Sequence, residues 1–131
     1  MKIKAFKAQR RRIQRLEKRW APLLGLRWWS IDYLYYDKRK HYAKATDCDG
    51  QTSAAQCFAD WRYSTATISF NLPIWAALSD DKAEWVFVHE LMHIFVNELR
   101  PHRDGCTDHE ERVCTWLAQA FLWVRGEVVD N

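Results

Sequence analysis

The sequence predicts an α+β fold: an N-terminal helix, a small sheet of about three strands, a central helix buried in the core, and a C-terminal helix. Three observations lead there. Residues 4–20 place Phe6, Ile13, Leu16 and Trp20 at helical spacing within an otherwise basic segment. Residues 27–36 and 63–71 are dense in aromatic and β-branched side chains, which fit a pleated surface. Residues 83–96 are apolar nearly all round, the pattern of a helix enclosed by the rest of the protein. With 131 residues, 48% of them hydrophobic, the chain can fill one core, so 1–131 reads as a single domain with a basic helix at 1–20.

The elements follow in order. The first helix is expected to end at Ala21-Pro22, because the residue before proline disfavours helical geometry. A strand at about 27–36 alternates Trp29, Ile31, Tyr33 and Tyr35 with mixed neighbours. Asp37–Lys40 reads as a turn, 41–46 as a second, shorter strand, and Asp49-Gly50 as another turn. Residues 54–61 fit either a strand or irregular chain. The strand at 63–71 is broken by Leu72-Pro73. Ser79-Asp80-Asp81 prepares a helix start, with Asp81 and Glu84 in the form of a capping box, and that helix should reach about Leu99 before Pro101. A last helix runs from near Asp108 to about Val124, with Gly126 just beyond.

Charge and cysteine usage narrow the class. The net charge is only +3, but residues 1–40 carry 13 Lys/Arg against 3 acids, whereas residues 41–131 carry 7 against 14. Cys48, Cys57, Cys106 and Cys114 include no C-x-x-C pair, so they read as reduced, mostly buried thiols rather than a zinc knuckle. No apolar run is long enough for a membrane span, and the basic N-terminus lacks the apolar stretch of a signal peptide. The expectation is a soluble, cytoplasmic protein without a membrane partner.

The chemistry lies in His89-Glu90-Leu91-Met92-His93. Spacing of four puts both histidines on one helix face, where their imidazoles can reach one metal ion. Glu90, about 100° round the helix, can reach a water beside that ion without being a ligand. Zinc held there would polarise a carbonyl and lower the water's pKa towards about 7, with Glu90 as general base. Charged and polar groups inside so apolar a helix need partners, and a metal supplies them.

A catalytic zinc usually has three protein ligands. Glu111 and Glu110 lie 18 and 17 positions after His93. Glu111 is preferred as the third ligand, because Cys114 and Ala118 extend it into a small-residue stripe that would let this helix approach the motif closely. Glu110 is the alternative and His109 a more distant one. Val113, Leu117, Phe121 and Val124, beyond Glu110, read as ordinary core. Asp108 with Glu111, or Thr107 with Glu110, also fits a capping box.

The motif followed by a glutamate on the next helix resembles the gluzincin type of HExxH zinc metallopeptidase, and more narrowly the compact, bacteriophage-type relatives of the ImmA/IrrE and SprT-like groups. Tyr63-Ser64-Thr65-Ala66-Thr67-Ile68 is similar to the Tyr-x-x-Ala-x-Ile strand that precedes the motif helix in those families, and Glu111, Cys114 and Ala118 match the family's glutamate and small residues. The similarity covers roughly residues 61–122. It departs at Cys114-Thr115, where the family has Ala then Asp or Asn, and in lacking the histidine third ligand of SprT-like enzymes. The resemblance implies a zincin-like domain that hydrolyses peptide bonds, with His89, His93 and Glu111 holding Zn2+. It further implies a substrate strand paired to an edge strand, here 63–70. It also implies an oxyanion stabiliser, for which Tyr63, His102 and His109 have suitable chemistry. Hydrolysis of a non-peptide amide at the same site is a further enzymatic possibility.

The nine Lys/Arg within residues 2–19 fit either a solvated helix face or a surface for nucleic acid or an acidic partner. The non-enzymatic alternative follows from them: a catalytically inactive, zinc-stabilised binding module associated with DNA or a DNA-bound protein. Retention of Glu90 speaks against it, since a purely structural zinc site has no use for a general base.

Overall fold

Ile3–Leu23 forms α1, which buries Ile13 and Trp20 and half-buries Phe6 and Leu16. In the computed structural model, which describes residues 1–46, 53–97 and 108–130, this helix continues through Pro22 in its last turn rather than ending before it. Gly25, at φ 70°, then takes the left-handed conformation that costs glycine least and reverses the chain into a single 3-10 turn, Leu26–Trp28. β1 follows at Ser30–Tyr36.

Residues 41–46, expected as a strand after a turn at Asp37–Lys40, instead belong to a helix, α2 (Arg39–Thr46). Lys38 C=O accepts from the N–H groups of His41 and Tyr42 and starts it. Only Tyr42 of its residues is buried, packing edge-on against Tyr36. One inward residue per two turns is enough for a short helix and leaves a pattern too sparse to separate from a strand.

The ambiguous segment 54–61 is a strand, β2 (Ala55–Asp60), followed by β3 (Thr65–Asn71). The sheet order is β1-β3-β2: β1 runs parallel to β3 (Tyr33 beside Ile68), and β2 antiparallel to it (Cys57 beside Ile68). The strand expected at the edge, 63–70, is therefore the central strand, and β2 is an edge. Ile31, Tyr33 and Tyr35, with Ala66, Ile68 and Phe70 and with Ala55, Cys57 and Ala59, turn one sheet face to the core. Phe70 stacks near-parallel on Tyr33, Tyr35 and Phe87 and meets Trp75 edge-on.

Leu72-Pro73 ends β3, but the chain continues directly into a short helix, α3 (Leu72–Ala76), where proline sits in the first turn and its missing N–H costs nothing. α4 is Asp80–Val96. Its cap is Ser79, whose hydroxyl accepts from Lys82 N–H, and Asp80 and Asp81 lie at the positive end of the helix dipole. The capping box expected from Asp81 and Glu84 does not form. Glu84 is instead buried, accepting from Arg19, Trp20 Nε1 and Arg125.

α5, Asp108–Asp130, runs past Gly126 rather than stopping before it. Its buried stripe is Glu110 with the small residues Cys114 and Ala118, which allow close approach to α4. The stripe expected to extend from Glu111 thus runs through Glu110, and Glu111 lies beside it, its side chain 43% exposed. Val113 and Leu117 are half-buried and pack against the core, whereas Phe121 and Val124 are 40% and 55% exposed, so only the first half of the bulky stripe expected to be core packs inward. α5 packs chiefly on α4, with Arg125 reaching over the Trp20 ring of α1, so only one of its faces is well covered. Among the described residues Cys57 and Cys114 form no disulfide, while Cys48 and Cys106 lie outside the described residues. Among the described residues, no helix is long and apolar enough to cross a membrane.

Candidate metal centre

α4 is buried over eleven of its residues, among them His89, Glu90 and His93, each no more than 7% exposed. One ligand atom from each of the three lies within 4.8 Å of the others, so the group could hold a metal ion. The imidazoles, one turn apart, meet edge to face at 5.1 Å, and Trp85, four residues earlier, lies against His89 at 5.2 Å.

α5 brings two carboxylates to opposite sides of these rings. Glu111 Oε2 lies 2.9 Å from His89 Nε2, and Glu111 Oε1 lies 3.1 Å from His93 Nε2. Both histidines thus present the same nitrogen to one carboxylate. Glu110 takes the other side, its Oε1 3.2 Å from His93 Nδ1. Thr115 Oγ1 lies 3.4 Å from His89 Nδ1, one helical turn beyond Glu111. Glu110 is buried, whereas the Glu111 side chain is 43% exposed, so the cluster opens to solvent on the Glu111 side.

The donor set fits a divalent ion. Two Nε2 atoms and a carboxylate are ligands suited to zinc, and tetrahedral coordination at about 2.0–2.1 Å separates ligand atoms by roughly 3.3 Å. The observed 2.9 and 3.1 Å, each to a different oxygen of the Glu111 carboxylate, lie near that separation. The outer nitrogens already have oxygen partners, which set the ring orientation and leave Nε2 for the ion.

The sheet contributes one more contact. Ala54 C=O accepts from Asn71 N–H, and the two-residue alternation of an antiparallel ladder then turns the main-chain groups of Ala55, Cys57 and Ala59 to the free edge of β2. There, Cys57 N–H donates to the Glu90 carboxyl group.

Burial pushes Glu90 up to about 8, with the Glu111 charge adding to the rise and His93 and the Cys57 N–H opposing it. Burial would lower His93, but hydrogen bonds to Cys114 and Glu111 and the nearby Glu90 hold its proton to about 11. Glu111 is held well below the usual carboxylate range, chiefly by the hydrogen bond from His89 and then by that from His93. In the metal-free protein, Glu90 therefore keeps its proton to about 8 rather than 4.5, and His93 to about 11 rather than 6.5.

Between pH 6.5 and 8, both groups bind more proton folded than unfolded, so metal-free stability falls as pH rises. Metal binding runs the other way, because ligands must shed protons: each proton released is worth about tenfold in affinity per pH unit. Thermal unfolding with chelator and with added zinc, at pH 6 and pH 8, should show a zinc-induced rise in Tm that is larger at pH 8. A rise that shrinks towards pH 8 contradicts this site.

The structure thus brings together His89, Glu90, His93, Glu110 and Glu111. Tyr63, an oxyanion candidate, is 73% exposed in the β2–β3 turn with Arg62 over its ring. His102 and the His109 side chain lie outside the described residues. Two contacts escaped the sequence reading: Thr115, one turn after Glu111, and the Cys57 N–H, a backbone donor with no side-chain signature. No protein-family model, curated protein or solved structure matches this chain.

Proposed function

We propose that this chain is a zinc-dependent metallopeptidase. The observation that carries the reading is that His89 and His93 both turn Nε2 to the Glu111 carboxylate while Glu90 lies in the same buried cluster. His89, His93 and Glu111 hold the ion. Zinc bound there supplies a Lewis acid for the substrate carbonyl and a lowered pKa for water.

The chain's own residues do the rest. Glu90, as carboxylate, takes the proton of the attacking water and returns it to the leaving amine. A nearby divalent cation favours its ionised form, opposing the burial that raises its pKa. Cys57 N–H orients the carboxyl group from the strand edge. Glu110 holds His93 by Nδ1, a positioning role distinct from the ligand role of Glu111. The free edge of β2, beside Glu90, is where an extended peptide adds by main-chain pairing.

A quenched-fluorescence peptide library incubated with the zinc-loaded chain is the test. Cleavage that stops with chelator and returns with zinc is expected. Cleavage that survives chelation, or none from a chain carrying one zinc, contradicts the reading.

A further inference from the structure

α1 is arranged poorly for its own stability. No acidic residue occupies its first turn, and Lys2, at the N-cap, makes no side-chain cap. Lys2, Lys4 and Lys7 instead sit at the positive end of the helix dipole, where cations are unfavourable. Lys4, Lys7, Arg11, Arg15 and Lys18 follow one another at intervals of three and four, so they form one straight stripe, and all five are exposed. Like charges at that spacing repel, whereas a merely solvated helix face gains from alternating Glu and Lys. Glu17 is the only acid in α1, and it is partly buried off the stripe.

Two other cations of the same helix find partners within the fold. Arg12 donates to the carbonyls of Trp75 and Leu78 and pairs with Asp80, and Arg19 pairs with Glu84. The outward five have no ion pair among the described residues. From Lys4 to Lys18 the stripe covers fourteen residue steps, about 21 Å at 1.5 Å per residue. Arg10 lies over the Tyr35 ring, and the chain leads from there to exposed Lys38, Arg39 and Lys40, which extend the positive surface beyond the helix.

We propose that the outer face of α1 binds the phosphate backbone of double-stranded nucleic acid, independently of any peptidase activity. A regular anionic polymer relieves repulsion along the whole stripe at once and releases counterions as it does so. A lipid surface fits less well: an interfacial helix inserts its apolar face, and here Ile13 and Trp20 are buried in the core. A single strand fits less well too, because the stripe carries no aromatic side chain on which bases could stack.

The test is fluorescence anisotropy of a labelled 24-base-pair mixed-sequence DNA duplex with the whole chain, from 50 to 200 mM NaCl. Five phosphate contacts predict a log–log salt slope of about −4 to −5, a several-hundred-fold loss of affinity across that range. The variant Lys7→Gln/Arg11→Gln/Arg15→Gln should lose about 3 from the slope while keeping the wild-type circular dichroism. Arg62→Gln, which alters a cation paired with Asp60 on the β2–β3 turn, should match wild type. Absence of binding at 50 mM salt, a triple variant with wild-type affinity, or stronger binding to phosphatidylserine vesicles than to the duplex would each overturn the proposal.

Discussion

Glu90→Gln is expected to lower peptide hydrolysis by about 10²–10⁴-fold while leaving one zinc per chain, because general acid–base catalysis contributes on that scale. The substitution is nearly isosteric, and the amide oxygen can still accept from Cys57 N–H, so the contact between α4 and β2 survives. Burial already favours the neutral side chain, and an amide removes the ionisation that burial opposes. The metal-free variant should therefore also unfold at a higher temperature than wild type at pH 8. Initial rates on a fluorogenic peptide, with zinc content measured on the same samples, check both halves. Wild-type turnover by Glu90→Gln would remove Glu90 from the chemistry. An inactive binding module would instead show no turnover in either protein.

The second large effect separates the two adjacent glutamates. Glu111→Ala should abolish stoichiometric zinc binding, because its carboxylate is the group both Nε2 atoms face. Its side chain is 43% exposed, so its loss should spare the fold. Glu110→Gln removes only the charge that orients His93 and should weaken zinc binding by about 10–100-fold without abolishing it. Equilibrium competition against a zinc chelator measures both affinities. The reverse order, with Glu110→Gln the more damaging, would make Glu110 the ligand.

The α+β class, the N-terminal helix and the buried motif helix were legible because long periodic segments carry their own pattern: Ile13 and Trp20 face inward on α1, and α4 is apolar nearly all round. The small-residue stripe through Cys114 and Ala118 correctly marked the close face of α5. It could not assign Glu110 and Glu111 their separate roles. The two residues differ by about 100° on a helix lying against both histidines, so each reaches a ring, and only the nitrogen reached distinguishes them.

Other features depend on contacts made across the chain. Sheet order placed β2 at the edge because β1 pairs with β3 over the intervening chain, and no local pattern encodes that crossing. The Asp81–Glu84 box looked locally sound, yet Glu84 is drawn to Arg19 and Arg125 from two other helices, leaving Ser79 to cap. α2 had too few inward residues to show its period.

The most direct measurement is elemental analysis of this chain, purified without chelator, beside Glu111→Ala and His93→Ala. One zinc per chain in wild type and none in either variant is the predicted result. Folded wild-type protein that carries no zinc, and takes up none when zinc is supplied, would contradict the account at its centre.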